Sequence, residues 1–163
     1  MRTPLKTAAL AVLALLVLTA CERPAPSVTL FSGDVSARAE AVCWTFDGSP
    51  VIGSADCTQD DLVASVQSGA LATLPVTPGS TLGISVDSEV ADAGWFPAII
   101  VDGQPQQLVN SVITDRYWRF TFPDGLRGQF PAGGYILQIT AAGATSGSER
   151  GLWFISLTDA DSR

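Results

Sequence analysis

Between Tyr117 and Phe122 the chain alternates strictly, with Trp118, Phe120 and Phe122 on one side and Tyr117, Arg119 and Thr121 on the other. Successive side chains of a strand point to opposite faces, so this run reads as a strand with its first set on a core and its second in solvent. Leu82, Ile84 and Val86 against Gly83, Ser85 and Asp87 repeat the period. Val28–Phe31, Trp95–Val101, Gln106–Ile113, Tyr135–Ala141 and Leu152–Leu157 add further short strands. Between them lie turn formers, namely Ser32-Gly33-Asp34, Asp47-Gly48-Ser49-Pro50, Asp102-Gly103 and Pro123-Asp124-Gly125. Ala37–Phe46 is expected to be one more strand, although apolar residues occur on both of its faces near Cys43. Leu74–Ser80 reads as a turn-rich entry, Asp87–Gly94 as an acidic loop and Gly143–Gly151 as a flexible connection. Asp60–Leu71 fits a helix through Leu62, Val63 and Val66 and fits a strand equally; no helix is required elsewhere. About eight short strands at hairpin spacing predict an all-β fold, an antiparallel β-sandwich over residues 28–158 with a tail at 159–163.

The other end of the chain constrains location. Arg2 and Lys6 precede an apolar segment from Thr7 to Val17, shorter than the roughly 20 residues a spanning helix needs. Leu18-Thr19-Ala20-Cys21 follows, two small residues and then a cysteine. This pattern resembles the lipobox of bacterial lipoprotein signals. The resemblance implies that residues 1–20 are a signal peptide, that Cys21 is acylated, and that 21–27 form a short lipidated tether. The domain would then be lipid-anchored to the cell membrane on its extracytoplasmic face. Removing residues 1–20 from 163 leaves 143, enough for one domain. The net charge moves from −7 to −9 as Arg2 and Lys6 leave, and no lysine, histidine or methionine remains. Such a surface repels phosphates, so nucleic acid is not an expected partner, and membrane attachment falls to the acyl chains.

With Cys21 taken by lipid, Cys43 and Cys57 remain as a pair. Outside the cytoplasm they are expected to form a disulfide, because two thiols with no histidine cannot close a zinc site and their spacing is not Cys-x-x-Cys. Pro131-Ala132-Gly133-Gly134-Tyr135-Ile136-Leu137-Gln138-Ile139 resembles the penultimate strand of immunoglobulin-like domains, where a tyrosine hydroxyl ties the corner back to the backbone. That resemblance implies an immunoglobulin-like sandwich. Cys43 and Cys57 lie too close in sequence to bridge its second and penultimate strands, so the disulfide should staple a local loop. The order of lipobox, Cys43-Trp44, Leu74–Gly79, Glu89–Ala93 before Trp95, and the Tyr117-Trp118 strand is similar to a family of actinobacterial lipoproteins of unknown function, which brings no catalytic residues with it.

Absent residue types exclude chemistry. Without histidine there is no Ser-His-Asp triad, Cys-His pair or His-Glu-x-x-His zinc site, and without lysine after residue 20 no P-loop or Ser-x-x-Lys nucleophile. Glu22, Glu40, Glu89 and Glu149 are scattered, and most aspartates read as turn formers, so no enzyme, cofactor or metal is expected. Two acidic groups, Asp47, Asp56, Asp60 and Asp61 around the disulfide loop and Asp87, Glu89 and Asp92 in another, lack the Asp-x-Asp-x-Asp-Gly spacing of a calcium loop. The candidate binding residues are Arg116, Tyr117 and Arg119, two arginines beside aromatic rings on an outward face. They read either as a partner-binding surface or as an exposed strand face answering nearby acids. The expected function is a non-catalytic binding or assembly module with an unknown envelope protein partner. The alternative is a carrier of a small apolar ligand between the sheets.

Overall fold

The computed structural model describes residues 23–54, 57–124, 130–131 and 134–160. Among them the chain forms ten strands and two helices. The strands are β1 (Ser27–Ser32), β2 (Val35–Glu40), β3 (Cys43–Trp44), β4 (Ala72–Val76), β5 (Thr81–Val86), β6 (Trp95–Val101), β7 (Gln104–Gln107), β8 (Tyr117–Thr121), β9 (Tyr135–Ala142) and β10 (Glu149–Asp159). The helices are α1 (Gln59–Gln67) and α2 (Ser88–Ala93). One sheet has the order β2-β1-β5-β8 and the other β3-β10-β9-β6-β7, with β4 also on β10. Every pairing is antiparallel except β4 with β10. The fold is a β-sandwich in which β1-β5-β8 take the places of immunoglobulin strands A, B and E, and β7-β6-β9-β10 those of C′, C, F and G. Two strands exceed the expected eight, because Ala37–Phe46 divides into β2 and β3 and residues 72–76 form β4.

Alternation decides the core. Leu82, Ile84 and Val86 of β5 are buried, as are Tyr135, Leu137, Ile139 and Ala141 of β9 and Trp153, Ile155 and Leu157 of β10. Trp95, Trp153 and Phe122 are fully enclosed and fill the space between the sheets. Each such side chain contributes about 1.5–3 kcal/mol on leaving water. Tyr135 opens β9 at the expected corner, its ring edge-on to Phe122 and Phe130; Ala132 and Gly133 of that corner lie outside the described residues.

Several expectations are corrected. Ala37–Phe46 is two strands, since β2 ends at Glu40 in the first sheet and β3 pairs with β10 in the second. Crossing between sheets exchanges the inward face, which is why neither alternation fitted the whole stretch. Asp60–Leu71 resolves as helix α1, closed by a Thr58–Asp61 capping box. The acidic loop contains α2, and the turn-rich entry contains β4, a strand that tolerates Pro75 because it pairs on one side only. The segment expected to be flexible supplies the start of β10, and Gln106–Ile113 shortens to β7 plus a bridge from Ile113 to Trp95. The Asp102-Gly103 turn is tight despite Pro105, both residues taking positive φ at 51° and 74°.

Disulfide Cys43–Cys57 is present and local, with Cα atoms 5.8 Å apart and a separation of 14 residues. It joins β3 to the N-terminus of α1. With Val51, Leu62, Leu152 and Phe154 it forms a second, smaller core on the outward face of the β10-β9-β6 sheet. At that place the sandwich has a third layer.

Candidate functional site

The expected partner-binding residues lie on or beside β8. Ile84 faces Trp118 and Leu82 faces Phe120 across the β5–β8 ladder, so these rings turn inward and stack on each other 5.3 Å apart. Tyr117 and Arg119 therefore face out, Tyr117 being 56% exposed, and Arg116 just before β8 is exposed as well. Register then shows what accompanies them. Arg38, Thr29, Ser85 and Tyr117 are successive partners across four strands, and Ser36, Phe31, Gly83 and Arg119 form the next row. Phe31 is 37% exposed. These two rows bring two arginines and two aromatic rings onto one face and contain no acid, in a chain carrying 16 Asp and Glu.

Glycine shapes this face. A side chain at buried Gly83 would put its Cβ 2.5 Å from the Tyr117 hydroxyl and 3.0 Å from ring carbons, so the tyrosine lies diagonally across the bare backbone of β5. Phe31, Arg38 and Gly83 were not among the residues singled out from the sequence. Only the pairing of β1 with both β2 and β5 places them beside Tyr117, and no local pattern carries that.

A second feature lies on the opposite sheet. Between α1 and the β6–β7 hairpin runs an open groove of about 420 Å³, walled by Leu62, Val63, Val66 and Ile100 and floored by Leu152 and Phe154. It is outside the sandwich, whereas the space between the sheets is occupied by Trp95, Trp153 and Phe122.

The third feature is the approach to β1. The Trp153 indole N–H donates to the Pro26 carbonyl at 3.0 Å in the buried interior. The Asp87 carboxylate accepts from the Ser27 backbone N–H at 2.7 Å and from its hydroxyl at 3.1 Å. Asp87 is thus the N-cap residue of α2, but its side chain serves Ser27 and makes no cap hydrogen bond. Arg23 pairs with Glu89 and lies over the Phe46 ring, 5.7 Å from its centroid. Arg150 stands 4.2 Å over Trp44 and donates to the carbonyls of Thr45 and Phe46. Cys21, the expected lipidation site, lies outside the described residues.

The acids have local tasks. Asp47 accepts from the Ser49 backbone N–H and hydroxyl, which hold its carboxyl below the usual range. Asp61 is lowered likewise by the Thr58 hydroxyl and backbone N–H. Glu149, half-buried at the start of β10, is pushed up by burial. Among the described residues no three Asp, Glu or Cys side chains gather as metal ligands; Asp56 lies outside them. No protein-family model, curated protein or solved structure matches this chain.

Proposed function

We propose that the chain is a lipoprotein of the cell envelope, anchored through Cys21 on the outer face of the membrane, whose domain is a non-catalytic binding or assembly module. Anchoring rests on the Leu18–Cys21 motif after its short apolar segment, and the likeness to actinobacterial lipoproteins is part of the same proposal. The observation that carries the binding role is the pair of cross-strand rows holding Arg38, Tyr117, Phe31 and Arg119. Arginine and tyrosine supply large contact area and multiple donors, and they concentrate binding energy where they are clustered. An envelope protein presenting carboxylates to this face would complete the charge pairing that the rows themselves lack.

The small-ligand reading is favoured by one observation, the groove beneath α1, whose volume and apolar lining suit a small hydrophobic molecule. Its location moves that reading from the sandwich interior to the outer surface of the second sheet. Crosslinking in native membranes separates the two. Tyr117→Ala/Arg119→Ala should remain folded, because exposed positions usually contribute within about 0.5 kcal/mol, while losing a crosslinked protein that Val63→Asp still captures. Loss with Val63→Asp alone would support the groove, and equal capture by both variants would remove the outward face of β8 from the binding surface.

A further inference from the structure

We infer that the domain stands on the membrane on its α2 end, with Phe46, Arg23 and Arg150 at the lipid headgroups and the β6–β7 hairpin pointing away. The inference rests on acylation of Cys21 and adds the orientation that acylation alone leaves open.

Chain length sets the limit. Only Glu22 separates Cys21 from Arg23, so their Cα atoms lie within about 7 Å of each other however the backbone runs. Arg23 is held against Glu89 and Phe46, and the residues after it are fixed by Trp153 on Pro26 and Asp87 on Ser27. The short tether is therefore docked from its third residue onward. Strand directions identify the end concerned. β1 begins there, β5 runs into α2 there, β6 leaves from it, and β9 and β10 meet there through residues 143–148. The turns at 33–34, 77–80 and 102–103 lie at the opposite end. The 11 residues of β10 extend about 35 Å, several times the reach of the free link.

The chemistry of this end suits a headgroup layer. Phe46 is 50% exposed and lies beneath a guanidinium, and a second guanidinium covers Trp44. Rings with attached cations favour the boundary between acyl chains and water. Four of the five described arginines, Arg23, Arg38, Arg116 and Arg150, lie toward this end beside Glu40, Asp87, Glu89 and Asp92, a mixture of both signs that matches zwitterionic headgroups. With the strands raised from the membrane, the face bearing Tyr117 and Arg119 opens sideways, within reach of another protein in the same bilayer.

The test uses the processed lipoprotein in phosphatidylcholine nanodiscs doped with a lipid carrying gadolinium chelate at its headgroup, read by amide proton relaxation. Relaxation should be strongest at 46–49, 89–93 and 144–148 and weakest at 33–34, 79–80 and 102–103. A reversed or uniform gradient on protein of acylated mass overturns the orientation alone, whereas protein that carries no acyl mass overturns the anchoring and the orientation together. Inserting about ten Gly and Ser residues between Glu22 and Arg23, roughly 18 Å of coil, should abolish the gradient. A gradient that survives the insertion would show that the docked tether does not set the orientation.

Discussion

Replacing both Cys43 and Cys57 with alanine should lower the melting temperature by about 10 °C. The bridge closes a loop across a separation of 14 residues, and removing a cross-link of that length from the unfolded chain costs about 3 kcal/mol of stability. A domain of this size loses roughly 3 °C per kcal/mol, which gives the shift. Geometry decides where the effect begins. Cys43 belongs to β3, a two-residue strand paired with Gly151 and Leu152, and Cys57 precedes the Thr58 cap of α1 by one residue. The helix has little else to hold it, since Leu62 is its one buried side chain. Without the bridge, α1 should leave the outward face of β10 before the sandwich melts, exposing Leu152 and Phe154. Near-ultraviolet circular dichroism follows the whole fold, and amide exchange in 59–67 follows the helix. A shift below about 2 °C with unchanged exchange in α1 would refute the reasoning, because a cross-link that removes unfolded-state entropy must lower stability when it is lost.

Two further outcomes follow from single contacts. Burial raises the Glu149 carboxyl above its ordinary value, so the native state binds that proton more tightly than the unfolded chain and its contribution to stability falls as pH rises through the raised value. Glu149→Gln should therefore raise the melting temperature at neutral pH and lose that gain below about pH 4, where both states are protonated; a gain equal at the two pH values would contradict the assignment. Trp153→Phe keeps a ring in the core but leaves the Pro26 carbonyl buried without its donor, at a cost of about 1–3 kcal/mol. The amides of Ala25, Ser27 and Val28 should exchange faster in that variant, and unchanged exchange would show that the indole does not hold the tether.

What the sequence made legible was local. Alternation in β5 and β8 identified both strands and their inward faces, Asp102-Gly103 identified its turn, and the cysteine count identified the disulfide. What it concealed depends on partners distant in the chain. Pro75 looks like a turn residue until β4 is seen to pair only with β10, in parallel, across some eighty positions. Ala37–Phe46 looks like one strand with mixed faces, because the break in alternation near Cys43 marks a passage between sheets only once the partners of β2 and β3 are known. Asp60–Leu71 stayed open between helix and strand, and what decides it is the Thr58–Asp61 capping box at the start of α1, a spacing outside the apolar periodicity on which that stretch was read. The candidate face was half legible. Arg116, Tyr117 and Arg119 stand together in sequence, whereas Phe31, Arg38 and Gly83 join them only through the register of β1 with two neighbours.

The intact mass and N-terminal peptide of the protein isolated from cell envelopes test the central claim most directly. The account predicts a chain that begins at Cys21, carries a diacylglyceryl-modified thiol, and sediments with membranes until Cys21 is replaced by alanine. A chain that retains residues 1–20, or one whose Cys21 thiol is free and alkylatable, would contradict it.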